Sequence, residues 1–92
     1  MKVYIAVYIP HGELRYEDSV NIIGVWTDKK EASKKAFEQE VQFFITHDNY
    51  VINLEESVNF FEGKSNSLSV YYNDYENYNC YYEIQIYERE VF

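Results

Sequence analysis

Two histidines, one cysteine, a lysine cluster and many carboxylates are the side chains with which this 92-residue chain could do chemistry. His11 and His47 lie far apart, and although Asp48 follows His47, no HxH, HExxH or CxxC spacing accompanies either one. A metal centre is therefore not expected. Cys80 has no evident activating base near it in sequence and reads as a small apolar residue. A single cysteine also excludes an internal disulfide and suits a reducing cytosol. Three scattered glycines make no phosphate-binding loop, and abundant carboxylates without a cleft make no acid–base pair. The chain reads as non-enzymatic, with no cofactor. Lys29, Lys30, Lys34 and Lys35 cluster in what reads as the start of a helix, where cations oppose the macrodipole. A solvated helix face is the plain explanation. A site for a nucleotide-like anion is the sharper one.

Recognition is better represented than reaction. Sixteen acids against eight bases give a net charge of −8. Residues 1–35 carry five acids and six bases, a net +1, while residues 36–92 carry eleven acids and two bases, a net −9. Direct binding to nucleic-acid phosphates needs clustered Lys and Arg, so that class is excluded. A basic partner, such as a nucleic-acid-binding protein, is the complementary expectation. Glu55, Glu56, Asp74, Glu76 and Glu83, with Glu38, Glu40 and Glu62, are the candidate carboxylates, at spacings resembling phosphates. Eleven Tyr, six Phe and one Trp bring aromatic content to 20%, and the stretch VYYNDYENYNCYY holds six of the tyrosines. Tyrosine combines apolar area with a polar tip and few rotamers, which suits half-buried sheets and protein interfaces.

The elements that must position these groups follow from periodicity. KVYIAVYI (2–9) alternates as a strand, PHGELRYEDS reads as a turn, and VNIIGVW (20–26) reads as a second strand pairing with the first. Gly24 within it marks a bulge or a close backbone approach. Asp28 with Glu31 three residues on is a capping-box-like start, and the spacing of Ala32, Ala36, Phe37, Val41, Phe44 and Ile45 predicts a helix over 28–46. Asn53, Glu56 and Gly63 bracket a short second helix with Leu54, Val58 and Phe61 on one face; a strand at 50–54 competes with it. Residues 68–73 and 80–91 read as two strands joined by a loop holding Asn73, Asp74, Glu76, Asn77 and Asn79. The expected fold is α+β in one domain, 1–92. It comprises an antiparallel sheet of about four strands with one long and one short helix on one face, in ββααββ order. The N-terminal apolar run is short and strand-like, and reads as neither signal peptide nor membrane span. A cytoplasmic protein with no membrane partner is expected.

A two-residue period assigns the faces. Val3, Ile5, Val7 and Ile9 are expected towards the helices with Leu68, Val70, Tyr72, Cys80, Tyr82, Ile84 and Ile86. The opposite, open face is expected to carry Tyr4, Tyr8, Tyr71, Tyr81 and Tyr87 interleaved with Glu83 and Gln85, and the intervening turn to present Tyr75 and Tyr78 beside Asp74 and Glu76. Cross-strand pairing that only stabilises the sheet is the plain reading of such tyrosines. A partner-binding face is the functional one.

MKVYIAVY, then IIGVWTDKKEASKKAF, then YYEIQIYEREV resemble small uncharacterised proteins of phages and mobile elements. Those share a G-V-[FW]-T-D-K-x-x-A strand-to-helix junction, here Gly24 to Ala32, and a final strand of the type Y-x-I-x-x-[FY]-E. The matching residues are structural and carry no catalytic role. The resemblance covers about a third of the chain and departs at 46–80, which would hold the specific function. It implies a ββαβ-type fold and a small inhibitor of a host nucleic-acid-binding complex, of which an anti-CRISPR is one kind. The resulting expectation is an acidic interaction protein that binds a basic host protein through Tyr71, Asp74, Tyr75, Glu76, Tyr78, Tyr81, Glu83, Tyr87, Glu55 and Glu56. A small-molecule anion binder and a homodimeric structural protein are the alternatives.

Overall fold

The computed structural model describes residues 1–12, 16, 18–41, 50–74 and 77–91, with side chains except at 50–51, 72–74 and 77–81. Strands β1 (Lys2–Pro10) and β2 (Asn21–Trp26) precede helix α1 (Lys29–Glu40). A two-residue strand β3 (Tyr50–Val51) and helix α2 (Leu54–Phe61) follow, then strands β4 (Ser67–Asp74) and β5 (Asn77–Glu90). All pairings are antiparallel, in the order β2-β1-β5-β4-β3. The α+β class, the element order and the helices on one face agree with the sequence reading; the short β3 extends the sheet to five strands. Among the described residues no helix is long and apolar enough to cross a membrane. Residues 42–49, 75 and 76, which include Phe44, Ile45, His47, Tyr75 and Glu76, lie outside the described residues.

Local signals set the helix ends. Asp28 Oδ2 accepts the Glu31 backbone N–H at 3.1 Å, and Asn53 Oδ1 accepts that of Glu56 at 3.1 Å. Each satisfies one of the N–H groups that a helix start leaves without a partner. At the other end of α2, Lys64 N donates to Asn59 O at 2.8 Å and Gly63 N to Phe60 O at 3.0 Å. This is a Schellman stop, and Gly63 takes φ +78°, which only glycine adopts without strain.

The core lies between the helices and one face of the sheet. Ala6, Leu68, Val70, Tyr82, Ile84 and Ile86 meet Ala32, Ala36, Val41 and Phe60 there, all buried. Ala6 sits opposite Ile86 and Tyr8 opposite Ile84, so Tyr4, Ala6 and Tyr8 share the helix side of β1. This reverses the expectation for β1: Tyr4 and Tyr8 turn towards the core, and Val3, Ile5, Val7 and Ile9 lie on the other face. Both faces of KVYIAVYI are apolar, so size decides. The side of α1 that meets the sheet is made of Ala32, Ser33 and Ala36, and only small Ala6 lets the helix approach closely. Tyr4 and Tyr8 flank that contact. Tyr8 packs on Tyr82 with ring centroids 5.1 Å apart and donates to Asp18 at 3.0 Å; Tyr4 donates to Glu88 at 3.2 Å. Tyr82 OH donates to the Glu40 carbonyl, tying the end of α1 to the sheet.

Two bulges and one helix rotation also depart from simple periodicity. Ala6 pairs with Gly24 and Val7 with Ile22, so Ile23 is the extra residue on β2. The expected bulge thus lies beside Gly24, but what approaches the glycine is the Trp26 ring and not another backbone. Val70 pairs with Tyr82 but Tyr71 with Cys80, which leaves Tyr81 as the extra residue on β5 and breaks the alternation counted from Cys80 to Tyr82. The hairpin is also longer than expected, with Asp74 paired to Asn77. On α2 the buried residues are Ser57 and Phe60, not Leu54 and Val58. Phe60 fills the core while Phe61 packs edge-on against Phe37 at 5.7 Å, and that pair of contacts fixes the rotation of so short a helix.

Candidate protein interface

Register places Val3, Ile5, Val7 and Ile9 of β1 opposite Arg89, Tyr87, Gln85 and Glu83 of β5 on the sheet face away from the helices. Ile5 also pairs with Val25 and Val7 with Ile22 on β2. Ile22 is 67% exposed and Val25 53% exposed. Scattered apolar surface residues are ordinary, but a contiguous aliphatic strip across two strands is not.

Beside the strip runs a polar ladder on β5. His11 Nε2 lies 3.2 Å from Glu83 Oε1, and Gln85 Nε2 donates to Glu83 Oε1 at 3.0 Å. Tyr87 OH donates to Gln85 Oε1, and the Arg89 guanidinium sits 5.4 Å from the Tyr87 ring centroid. Residues two apart on a strand share a face, and long side chains leaning along it meet in sequence. Each ladder member holds the next in place. Tyr71 of β4 is half-buried and pairs with Cys80.

The second exposed surface is on α2, across the sheet from the first. Leu54 is 77% exposed and Val58, one turn later, 47% exposed. Glu55 and Glu56 follow Leu54 in the first turn, where carboxylates complement the helix dipole. Among the described residues neither is in an ion pair. Glu62 at the far end is different: Lys64 Nζ approaches it to 2.8 Å and, by hydrogen bond and charge, holds its carboxyl below the ordinary range.

Of the ten candidate residues, Tyr71, Glu83 and Tyr87 lie on or along the open face and Glu55 and Glu56 lie on α2, so the structure does not unite the two sets. Asp74, Tyr78 and Tyr81 have backbone positions in the β4–β5 hairpin with side chains outside the described set, while Tyr75 and Glu76 lie outside it altogether. Sequence reasoning missed Ile5, Val7, Ile22, Val25, Leu54 and Val58. A signal existed for the first two: a strand apolar on both faces in a two-layer fold must expose one of them.

The lysine cluster is divided. Lys30, Lys34 and Lys35 line a shallow groove that also contains Asp28 and Glu31, whereas Lys29 faces a different hollow with Tyr4, Asn66, Ile86 and Glu88. Interleaved carboxylates weaken any anion site there. Among the described residues no group of three His, Cys, Asp or Glu is placed to hold a metal ion. No protein-family model matches the chain, and no curated protein or solved structure is similar to it.

Proposed function

We propose that the protein acts by binding another protein, and that the partner is basic. The observation that supports this best is the outer side of α2. Leu54 and Val58 stand exposed one turn apart with Glu55 and Glu56 between them in sequence, and neither carboxylate is in an ion pair among the described residues. An apolar anchor beside unpaired carboxylates suits a cationic surface with a hydrophobic recess: burial supplies affinity and the charges steer the encounter. The −8 net charge adds long-range attraction to any basic partner. The resemblance of the Gly24–Ala32 junction to phage proteins makes the partner a cytoplasmic nucleic-acid-binding complex of a host, with inhibition as the outcome. Asp74 at the end of β4, and Glu76 two residues on in sequence, belong to the same electrostatic reading.

Binding to purified basic nucleic-acid-binding proteins of the host, followed by interferometry across a salt series, tests this. Glu55→Lys with Glu56→Lys is expected to weaken binding by about 1–2 kcal/mol, roughly 5–30-fold, mainly in the on-rate. Leu54→Ser with Val58→Ser is expected to act mainly on the off-rate. Affinity unchanged by the charge reversals and flat across salt would sink the electrostatic reading.

A further inference from the structure

We infer that the open sheet face is a self-association surface, and that a second copy of this chain covers it face to face. The interface is the aliphatic strip of β1 and β2 with the polar ladder of β5, and it is independent of the α2 surface on the other side of the sheet.

Charge selects the occupant. The molecule carries −8, yet the described charged groups of this face are Glu83, held by His11 and Gln85, and Arg89. A basic partner finds no acidic patch there, whereas two copies meet without the repulsion that their other surfaces would impose. Area sets the strength. The three strands that the two copies share, about 4.8 Å apart and roughly 26 Å long, give a footprint of about 370 Å² on each copy. Two such faces come to about 750 Å² before side-chain relief is counted, the size of a weak, concentration-dependent contact.

The ladder also fixes the orientation. Glu83 and Arg89 lie three residues either side of Ile86, which pairs with Ala6. A two-fold axis in the plane of the interface, crossing β5 at Ile86 and β1 at Ala6, runs the two β5 strands antiparallel. It sets Glu83 against Arg89 of the second copy, Gln85 against Tyr87, Ile5 against Val7, and Ile22 against Val25. Each contact then pairs apolar with apolar, polar with polar, or opposite charges, so the face is complementary to itself as an isologous interface requires. An axis along the strands would instead oppose Glu83 to Glu83.

Sedimentation equilibrium on the full chain tests this, with the fold of every variant checked by circular dichroism. The wild type is expected at twice the 11.1 kDa chain mass at tens of micromolar. Ile22→Glu with Val25→Glu is expected to give a folded monomer, and Ile22→Ser with Val25→Ser serves if the charged pair does not fold. Glu83→Arg and Arg89→Glu should each raise the dimer dissociation constant at least tenfold, and the double swap should recover most of that loss. A wild type that stays monomeric at 0.2 mM (about 2 mg/ml) overturns the proposal, as does a dimer indifferent to both Ile22/Val25 variants. A double swap no better than the single changes overturns the antiparallel arrangement. Glu55→Lys with Glu56→Lys should leave the mass unchanged, which separates this result from the basic-partner reading.

Discussion

Replacing Gly24 by alanine probes the tightest approach in the sheet. An added Cβ would lie 2.9 Å from both Cζ2 and Cζ3 of Trp26 and nearer still to Cη2. Carbon atoms prefer about 3.5–4.0 Å, so the ring must retreat by roughly 1 Å. The indole is rigid and half-buried against the core, and its backbone pairs with Tyr4, so its retreat loosens the β2–α1 corner. Overpacking of this kind costs about 1–3 kcal/mol. Removing glycine's freedom from the unfolded chain returns about 0.4–1 kcal/mol. The net expectation is a loss of about 1–2 kcal/mol, or roughly 4–16 °C in Tm for a domain of this size. Trp26 is the sole tryptophan, so urea unfolding followed by its fluorescence reports on the site itself. The test is a double-mutant cycle with Trp26→Leu, read by circular dichroism. With the indole gone, Gly24→Ala should be neutral or slightly stabilising. A full cost persisting in the Trp26→Leu background would place the demand for glycine in the backbone and refute the steric argument. So would a Gly24→Ala protein as stable as the parent.

Two further outcomes are expected. Gly63→Ala forces a side chain into φ +78° and brings its Cβ to 3.1 Å from the Lys30 Cα, so thermal melts should show a loss of about 1–2 kcal/mol or more. Glu40 has its carboxyl pushed above the ordinary range by burial. The folded state therefore binds that proton more tightly than the unfolded state, and stability falls as pH rises through the shifted value. Glu40→Gln should raise Tm at pH 7, with the gain vanishing below the ordinary glutamate range. A gain independent of pH would show that charge is not the cause.

The sequence determined what is local. Asp28 and Asn53 cap their helices because a short polar side chain three residues before a free N–H needs no distant partner. Gly63 stops α2 because its own backbone supplies the left-handed turn. Glycine at 24, between alternating apolar residues, already announced a bulge or close approach. Tertiary structure decided which side of each element faces in. β1 is apolar on both sides, so alternation cannot rank them; the small residues of α1 and the register with β5 chose Ala6 and turned Val3, Ile5, Val7 and Ile9 outward. α2 offers Phe60 and Phe61 side by side, and their two targets, the sheet and Phe37, rotate Leu54 and Val58 into the open. The tyrosine face expected from strict alternation became an aliphatic strip beside a polar ladder for the same reason. A period of two is set by one strand's backbone, while the side that gains most from burial depends on what the rest of the chain brings to it.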